Sequence, residues 1–226
     1  MKITCRLPAH ALAVTVPVAV LLSACASEEP AAVDGETIGE EIADAEVTGA
    51  GIDLEPASFA NLDLGAKVVG PQGPTVTSRF VGPDGQTGTI ESYVACPARL
   101  ESCDPAALPE STTYTYVMKV TPDARASAFR TTMPVYGYAG VAGFDQAQAA
   151  SAIGGDSQME LRCVEGGLFY SVLGGEGWAA GSPITFFWQG TLPPAGPQQA
   201  YQLIAGGDMG TAAGPAPARM AGGGCS

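Results

Sequence analysis

From residue 56 onward, apolar positions recur in short runs that Gly and Pro break every few residues. Thr112–Thr121 has the clearest pattern. Tyr114, Tyr116, Met118 and Val120 fall on one face of an extended chain, and Thr115, Val117, Lys119 and Thr121 on the other. That two-residue period belongs to a strand. Thr87–Cys96 alternates in the same way, with Ile90, Ser92 and Val94 against Thr89, Glu91 and Tyr93. The preceding Gly82-Pro83-Asp84-Gly85 is a turn signal, because Pro fixes φ and Gly supplies positive φ. It predicts a hairpin between Thr75–Val81 and Thr87–Cys96. Leu62–Val69 is an earlier strand, and Ala128–Thr132 and Val135–Ala139 are weaker ones. Met159–Val164 and Leu168–Leu173 flank Glu165-Gly166-Gly167, a second hairpin signal. Ile184–Gln189 is apolar on both faces, as in a central strand, and Tyr201–Ala205 is the last strand. One helix is predicted over Asp145–Ile153, with Asp145 as N-cap and Gly154 as terminator.

Roughly eight to ten close-spaced strands and one short helix predict a mostly β fold. The expected architecture is an antiparallel β-sandwich, immunoglobulin-like or jelly-roll, over residues 56–205. Residues 206–226 are rich in Gly, Ala and Pro and read as a loose tail. Composition agrees with a turn-rich chain: 30 Gly and 18 Pro among 226 residues, with only 15% charged.

Charge is unevenly spread. The formal net charge is −13. Residues 26–55 hold Glu28, Glu29, Asp34, Glu36, Glu40, Glu41, Asp44, Glu46, Asp53 and Glu55 without one Lys or Arg. Like charges extend such a segment, so residues 25–55 read as an acidic flexible tether. No cluster of Lys or Arg exists to neutralise phosphates, which argues against nucleic acid as a partner.

Residues 1–24 have the pattern of an export leader. Lys2 and Arg6 precede an apolar run from Leu7 to Leu22, broken by Pro8, His10, Thr15 and Pro17, and Ser23-Ala24 are small. The run falls short of the roughly 20 apolar residues of a spanning helix. Leu22-Ser23-Ala24-Cys25 resembles the lipobox of bacterial lipoprotein precursors. The resemblance covers the N-terminus alone. It implies cleavage before Cys25, a thioether-linked diacylglycerol on Cys25 and acylation of the new amine. The chain would then be held by the lipid bilayer of a cell envelope, and Ala26 after the cysteine favours the outer membrane. More than one acyl chain is needed for stable anchoring. The alternative is an ordinary leader cut after Ala26, since Ala24-Cys25-Ala26 is itself a small-x-small site.

Cys5 leaves with the leader, so Cys96, Cys103, Cys163 and Cys225 remain beside Cys25. An even number in an exported chain implies two disulfides, with three possible connectivities. Cys96–Cys103, which pins a loop, and Cys163–Cys225, which ties back the tail, are favoured. Zinc is the rival, but the Cys96–Cys103 spacing is not that of a finger. No metal or cofactor is expected.

His10 is the only histidine and lies in the leader. The mature chain therefore cannot use Ser-His-Asp or Cys-His catalysis or His-ligated metals. Gly174-Gly175-Glu176-Gly177 lacks the Lys of a phosphate loop and reads as a turn. Carboxylate chemistry remains open, with Glu91, Glu160, Glu165, Glu176 and Asp145 as possible members of a hydrolase pair. Trp178, Trp188, Tyr136, Tyr138 and Tyr170 are the aromatics that could form a sugar-stacking platform, but Phe186 and Trp188 have the strand spacing of core residues. Trp178, in a Gly-rich loop, is the residue to consider for sugar stacking. The favoured reading is a non-enzymatic envelope lipoprotein that contacts another envelope protein or a glycan. A carbohydrate-binding module and a carboxylate-dependent hydrolase are the alternatives.

Overall fold

The computed structural model describes residues 51–220 and 223–225. The leader, the lipobox with Cys25 and residues 26–50 lie outside them. The described strands are β1 (Ile52–Asp53), β2 (Ala57–Ser58), β3 (Leu64–Lys67), β4 (Val76–Gly82), β5 (Gly85–Pro97), β6 (Tyr114–Pro122), β7 (Ala126–Thr131) and β8 (Tyr138–Phe144). After the helix α1 (Gln146–Ile153) come β9 (Gln158–Val164), β10 (Gly167–Leu173), β11 (Ile184–Gly190), β12 (Pro194–Ala205) and β13 (Asp208–Pro217).

These strands form a β-sandwich whose two layers are halves of one continuous sheet. One layer runs β1-β9-β10-β7-β12-β13, the other β4-β5-β6-β11-β8-β2, with β3 also on β5. A single pairing, Thr211 with Val81, joins the halves at the fold line. Between strands the pairing is antiparallel except at β2, which lies parallel to β8.

The alternation read on β5 and β6 decides what fills the space between layers. Ile90, Ser92 and Val94 are buried on β5, as are Tyr116, Met118 and Val120 on β6. Phe186 on β11 is the central contact across the layers. Its ring lies 4.8 Å from that of Phe129 on β7 and 4.7 Å from that of Tyr170 on β10. Burying each such side chain contributes about 1.5–3 kcal/mol. Trp188, two residues on, stacks on Tyr116 with ring centroids 4.2 Å apart.

The helix forms where the pattern places it. Asp145 accepts a hydrogen bond from the backbone of Gln148, and Gly154 ends the helix at φ 78°, a value that favours Gly. Gln148 then accepts from both the amide and the hydroxyl of Thr185, which fixes α1 at the end of β11.

Two boundaries differ from the sequence reading. The stretch 206–226, expected as a loose tail, holds a strand among its described residues: β13 occupies 208–217 and pairs along β12 from Asp208 to Pro217. Its Gly and Ala residues are small because neighbours crowd them. A Cβ on Gly214 would lie 2.5 Å from the Ser92 hydroxyl and 2.6 Å from the Tyr201 ring. Small residues here mark close packing rather than freedom. The described strands also begin before residue 56. Ile52 and Asp53 pair with β9, and Ala57 and Ser58 with β8. The segment 52–58 therefore crosses from the outer strand of one layer to that of the other, stitching the open side of the sandwich.

Candidate functional site

Strand registers give the sandwich two distinct ends. The first described strand, β1, lies beside the last residues of β9, with Ile52 opposite Cys163. Cys225 is bonded to the same Cys163. At the other end β9 begins, at Gln158 opposite Leu173. That far end also gathers the turns or loops β4–β5, β6–β7, β8–α1, α1–β9, β10–β11 and β12–β13.

Each far-end connection carries one carboxylate or, at the β12–β13 turn, leads straight into one: Asp84, Asp123, Asp145, Asp156, Glu176 and Asp208. Arg125 is the one base among these connections, and its guanidinium lies 3.2 Å from the carboxylate of Glu176. Asp84 and Asp208 come together from the β4–β5 and β12–β13 turns. The Asp208 carboxyl is raised above its ordinary value, first by a hydrogen bond with Asp84, then by lost hydration and by the neighbouring charge. A surface of one sign attracts partners of the other and raises their rate of encounter.

The same end holds a cleft of about 390 Å³ between the C-terminus of α1 and the Gly174–Gly177 loop. Arg125, Ser151, Asp156, Ser157 and Glu176 supply its polar groups. Arg125 also donates to the backbone carbonyl of Glu176, so two contacts fix the loop. Ser157 donates to the Gly174 carbonyl at 3.2 Å. Gly175 sits at φ 56°, and a Cβ there would fall 2.0 Å from the Ser157 hydroxyl. Only Gly lets the two loops approach this closely.

Trp178 does not belong to this surface. It is wholly buried, its ring lies edge-on to Phe186 at 5.6 Å, and its Nε1–H donates to the Ser182 carbonyl at 2.7 Å. Two backbone hydrogen bonds with Ala126 hold it there. Gly177 at φ 82° turns the chain inward just before it, so a Gly-rich loop leads an aromatic side chain into the core. Tyr170 is likewise buried, while Tyr136 and Tyr138 are half-buried.

The carboxylates named from sequence are dispersed. Glu91 faces Lys119 across β5 and β6. Glu160 accepts from Ser171 on β10. Asp145 caps α1, and Glu165 is in the β9–β10 turn at the near end. Only Glu176 lines the cleft, joined by Asp156, which the sequence did not single out. Arg125 and Asp156 carried no local pattern that marks a site; the topology alone brings their loops together. Among the described residues no group of three or more His, Cys, Asp or Glu side chains is placed to hold a metal.

The remaining cysteines form Cys96–Cys103 and Cys163–Cys225. Cys96 and Cys103 are buried beneath the near-end loop that they close. No protein family, curated protein or solved structure matches this chain.

Proposed function

We propose that the chain is an envelope lipoprotein, anchored through acylated Cys25, whose sandwich is a non-catalytic module that engages a cationic partner at its far end. The observation that carries this reading is the polarity of the domain. The segment leading from Cys25 joins at Ile52, and the acidic connections lie at the opposite end. A tether attached at one end leaves the other free to meet a partner across the envelope. Two disulfides suit an oxidising compartment, and the lipobox supplies the anchor.

A photo-crosslinking residue at the exposed far-end position Ala180, compared with one at exposed near-end Ala98, tests the orientation. Adducts in intact cells are expected from position 180 and not from 98. Adducts from 98 alone would reverse the reading. Separately, Cys25→Ser should abolish fatty-acid labelling and release the protein from membranes.

Asp156 and Glu176 in one cleft are the observation that favours the hydrolase alternative. Against it, both side chains are exposed and Glu176 is paired with Arg125. Paired catalytic carboxylates need environments that separate their roles.

A further inference from the structure

The outer faces of the two layers are finished differently. On β11, Phe187 lies between core-facing Phe186 and Trp188, so it points outward, yet it is wholly buried. The Phe59 ring, 5.9 Å away, covers it. On the other layer the outward row runs Arg162, Phe169, Arg130 and Gln202 across β9, β10, β7 and β12. Every member of that row is half-buried.

At the near-end rim of this row is a pocket of about 120 Å³, whose walls include Arg130, Thr132, Pro134, Val164, Gly167 and Phe169. It exists because β7 parts from β10 there. Their pairing runs as far as Phe169 with Arg130, and at the next step the Leu168 amide donates to the Thr131 hydroxyl rather than to backbone. Gly167 has no side chain to fill the gap. Arg130 is the cation of the pocket. Its Nε donates to the neutral Gln202 side chain at 2.6 Å. The ion pairs among the described residues are Arg125 with Glu176 and Arg162 with Asp53, so Arg130 has no carboxylate partner among them. Glu165 stands on the rim, exposed and outside ion-pair distance. A guanidinium that is partly withdrawn from water gains from a charged acceptor.

The described chain starts against this pocket. A Cβ on Gly51 would lie 2.9 Å from Val164 Cγ2 and 3.4 Å from Arg162 Nε, so the preceding residues leave from the pocket wall. They are Glu46-Val47-Thr48-Gly49-Ala50. With strands about 4.8 Å apart, Gly167 is two strands from β1, about 10 Å, and Arg130 is three, about 14 Å. An extended chain covers about 3.3 Å per residue, so from Gly51 it carries Thr48 about 10 Å and Glu46 about 17 Å. Alternation puts Glu46 and Thr48 on the same side of such a chain. Gly49 and Gly51 permit the bend that turns it across the strands.

We propose that residues 46–50 cross this face, with Thr48 seated over Gly167 and the Glu46 carboxylate paired with Arg130. The segment before β1 then covers the outside of one layer, as Phe59 covers that of the other. The contact depends neither on acylation of Cys25 nor on a far-end partner.

NMR on the ¹³C,¹⁵N-labelled chain from residue 25 onward, carrying Cys25→Ser, tests it. Nuclear Overhauser contacts should join the Thr48 methyl group to Gly167 and Val164, and the Thr48 amide should have an order parameter near the roughly 0.85 of rigid backbone. Glu46→Gln and Arg130→Gln should each weaken those contacts about two- to five-fold, the effect of one ion pair near a surface. Neither should disturb the contacts between Phe129 and Phe186, which report the folded core. Glu46→Arg combined with Arg130→Glu should restore the Thr48 contacts. No contact between residues 46–50 and this face, or contacts of equal strength in the parent chain and both single variants, would overturn the proposal. So would contacts seen only between a labelled and an unlabelled chain in a mixed sample, which would give the pocket to a second copy.

Discussion

Cys225 is bonded to Cys163 across 62 residues of sequence, at the point where Ile52 pairs with the same cysteine. The C-terminal segment is thereby fastened to the strand that receives the start of the fold. A Cβ on the adjacent Gly224 would lie 2.3 Å from the Gly166 carbonyl, so the segment is seated against the β9–β10 turn. Closing so long a loop restricts the unfolded chain by about 4 kcal/mol, against about 2 kcal/mol for the seven-residue separation of Cys96 and Cys103. Cys163→Ala with Cys225→Ala should therefore cost about 4 kcal/mol in denaturant unfolding. A loss below about 2 kcal/mol would show that the tie is not where the stability resides.

The stitch formed by residues 52–58 depends on close approach at Gly143. Ala57 pairs with Gly143 in the parallel β2–β8 contact, and a Cβ there would fall 1.9 Å from the Ala57 carbonyl. No rotamer relieves a clash with backbone. Gly143→Ala should expel β2 and cost about 1–3 kcal/mol as an overpacking change. Hydrogen exchange should report it locally, with lost protection at Ala57 and Ser58 and retained protection on β6. Uniform loosening of the whole sandwich would contradict the local stitch.

The period-two pattern on β5 and β6, and the run on β11 that is apolar on both faces, made the sandwich legible, because they mark strands packed into a core. The helix was legible too, since Asp145 and Gly154 carry their own capping chemistry. β13 was not. Its Gly-Thr-Ala-Ala-Gly-Pro-Ala-Pro run has the composition of a flexible tail, and only the crowding by Ser92 and Tyr201 explains why small residues are required. The acidic far end was hidden for another reason. Its six carboxylates stand one at each loop, so no stretch of sequence looks acidic until the registers bring the loops to one end. Trp178 misled because a Gly-rich neighbourhood reads as exposed, whereas Gly177 turns the ring inward.

Trp178 gives the sharpest separation between a core and a binding role. Its burial against Phe186 predicts that Trp178→Ala costs about 3–5 kcal/mol of stability. Part of that loss comes from stranding the Ser182 carbonyl, which accepts its indole proton. Trp178→Phe keeps most of the volume and should cost less. Urea unfolding of the two variants measures both effects. A Trp178→Ala protein of unchanged stability would return the residue to the surface.

Asp84 and Asp208 predict how the far end responds to pH. The Asp208 carboxyl is raised in the fold, chiefly by its hydrogen bond with Asp84. A group raised in this way binds its proton more tightly folded than unfolded. Its favourable contribution is complete below the unfolded value near pH 3.9, and it is lost as pH rises through the folded value. At neutral pH the two charged carboxylates therefore oppose folding. Asp208→Asn should raise Tm at pH 7, and the difference should shrink on acidification and vanish or reverse below about pH 4. Because Asp84 is exposed and Asp208 is only half-buried, the gain at pH 7 should also shrink in about 1 M salt, where screening acts within a few ångströms. Thermal melts of the two proteins between pH 3 and pH 8 measure it. A difference in Tm that stays constant across that range would mean that the contact with Asp84 does not hold the Asp208 carboxyl above its ordinary value.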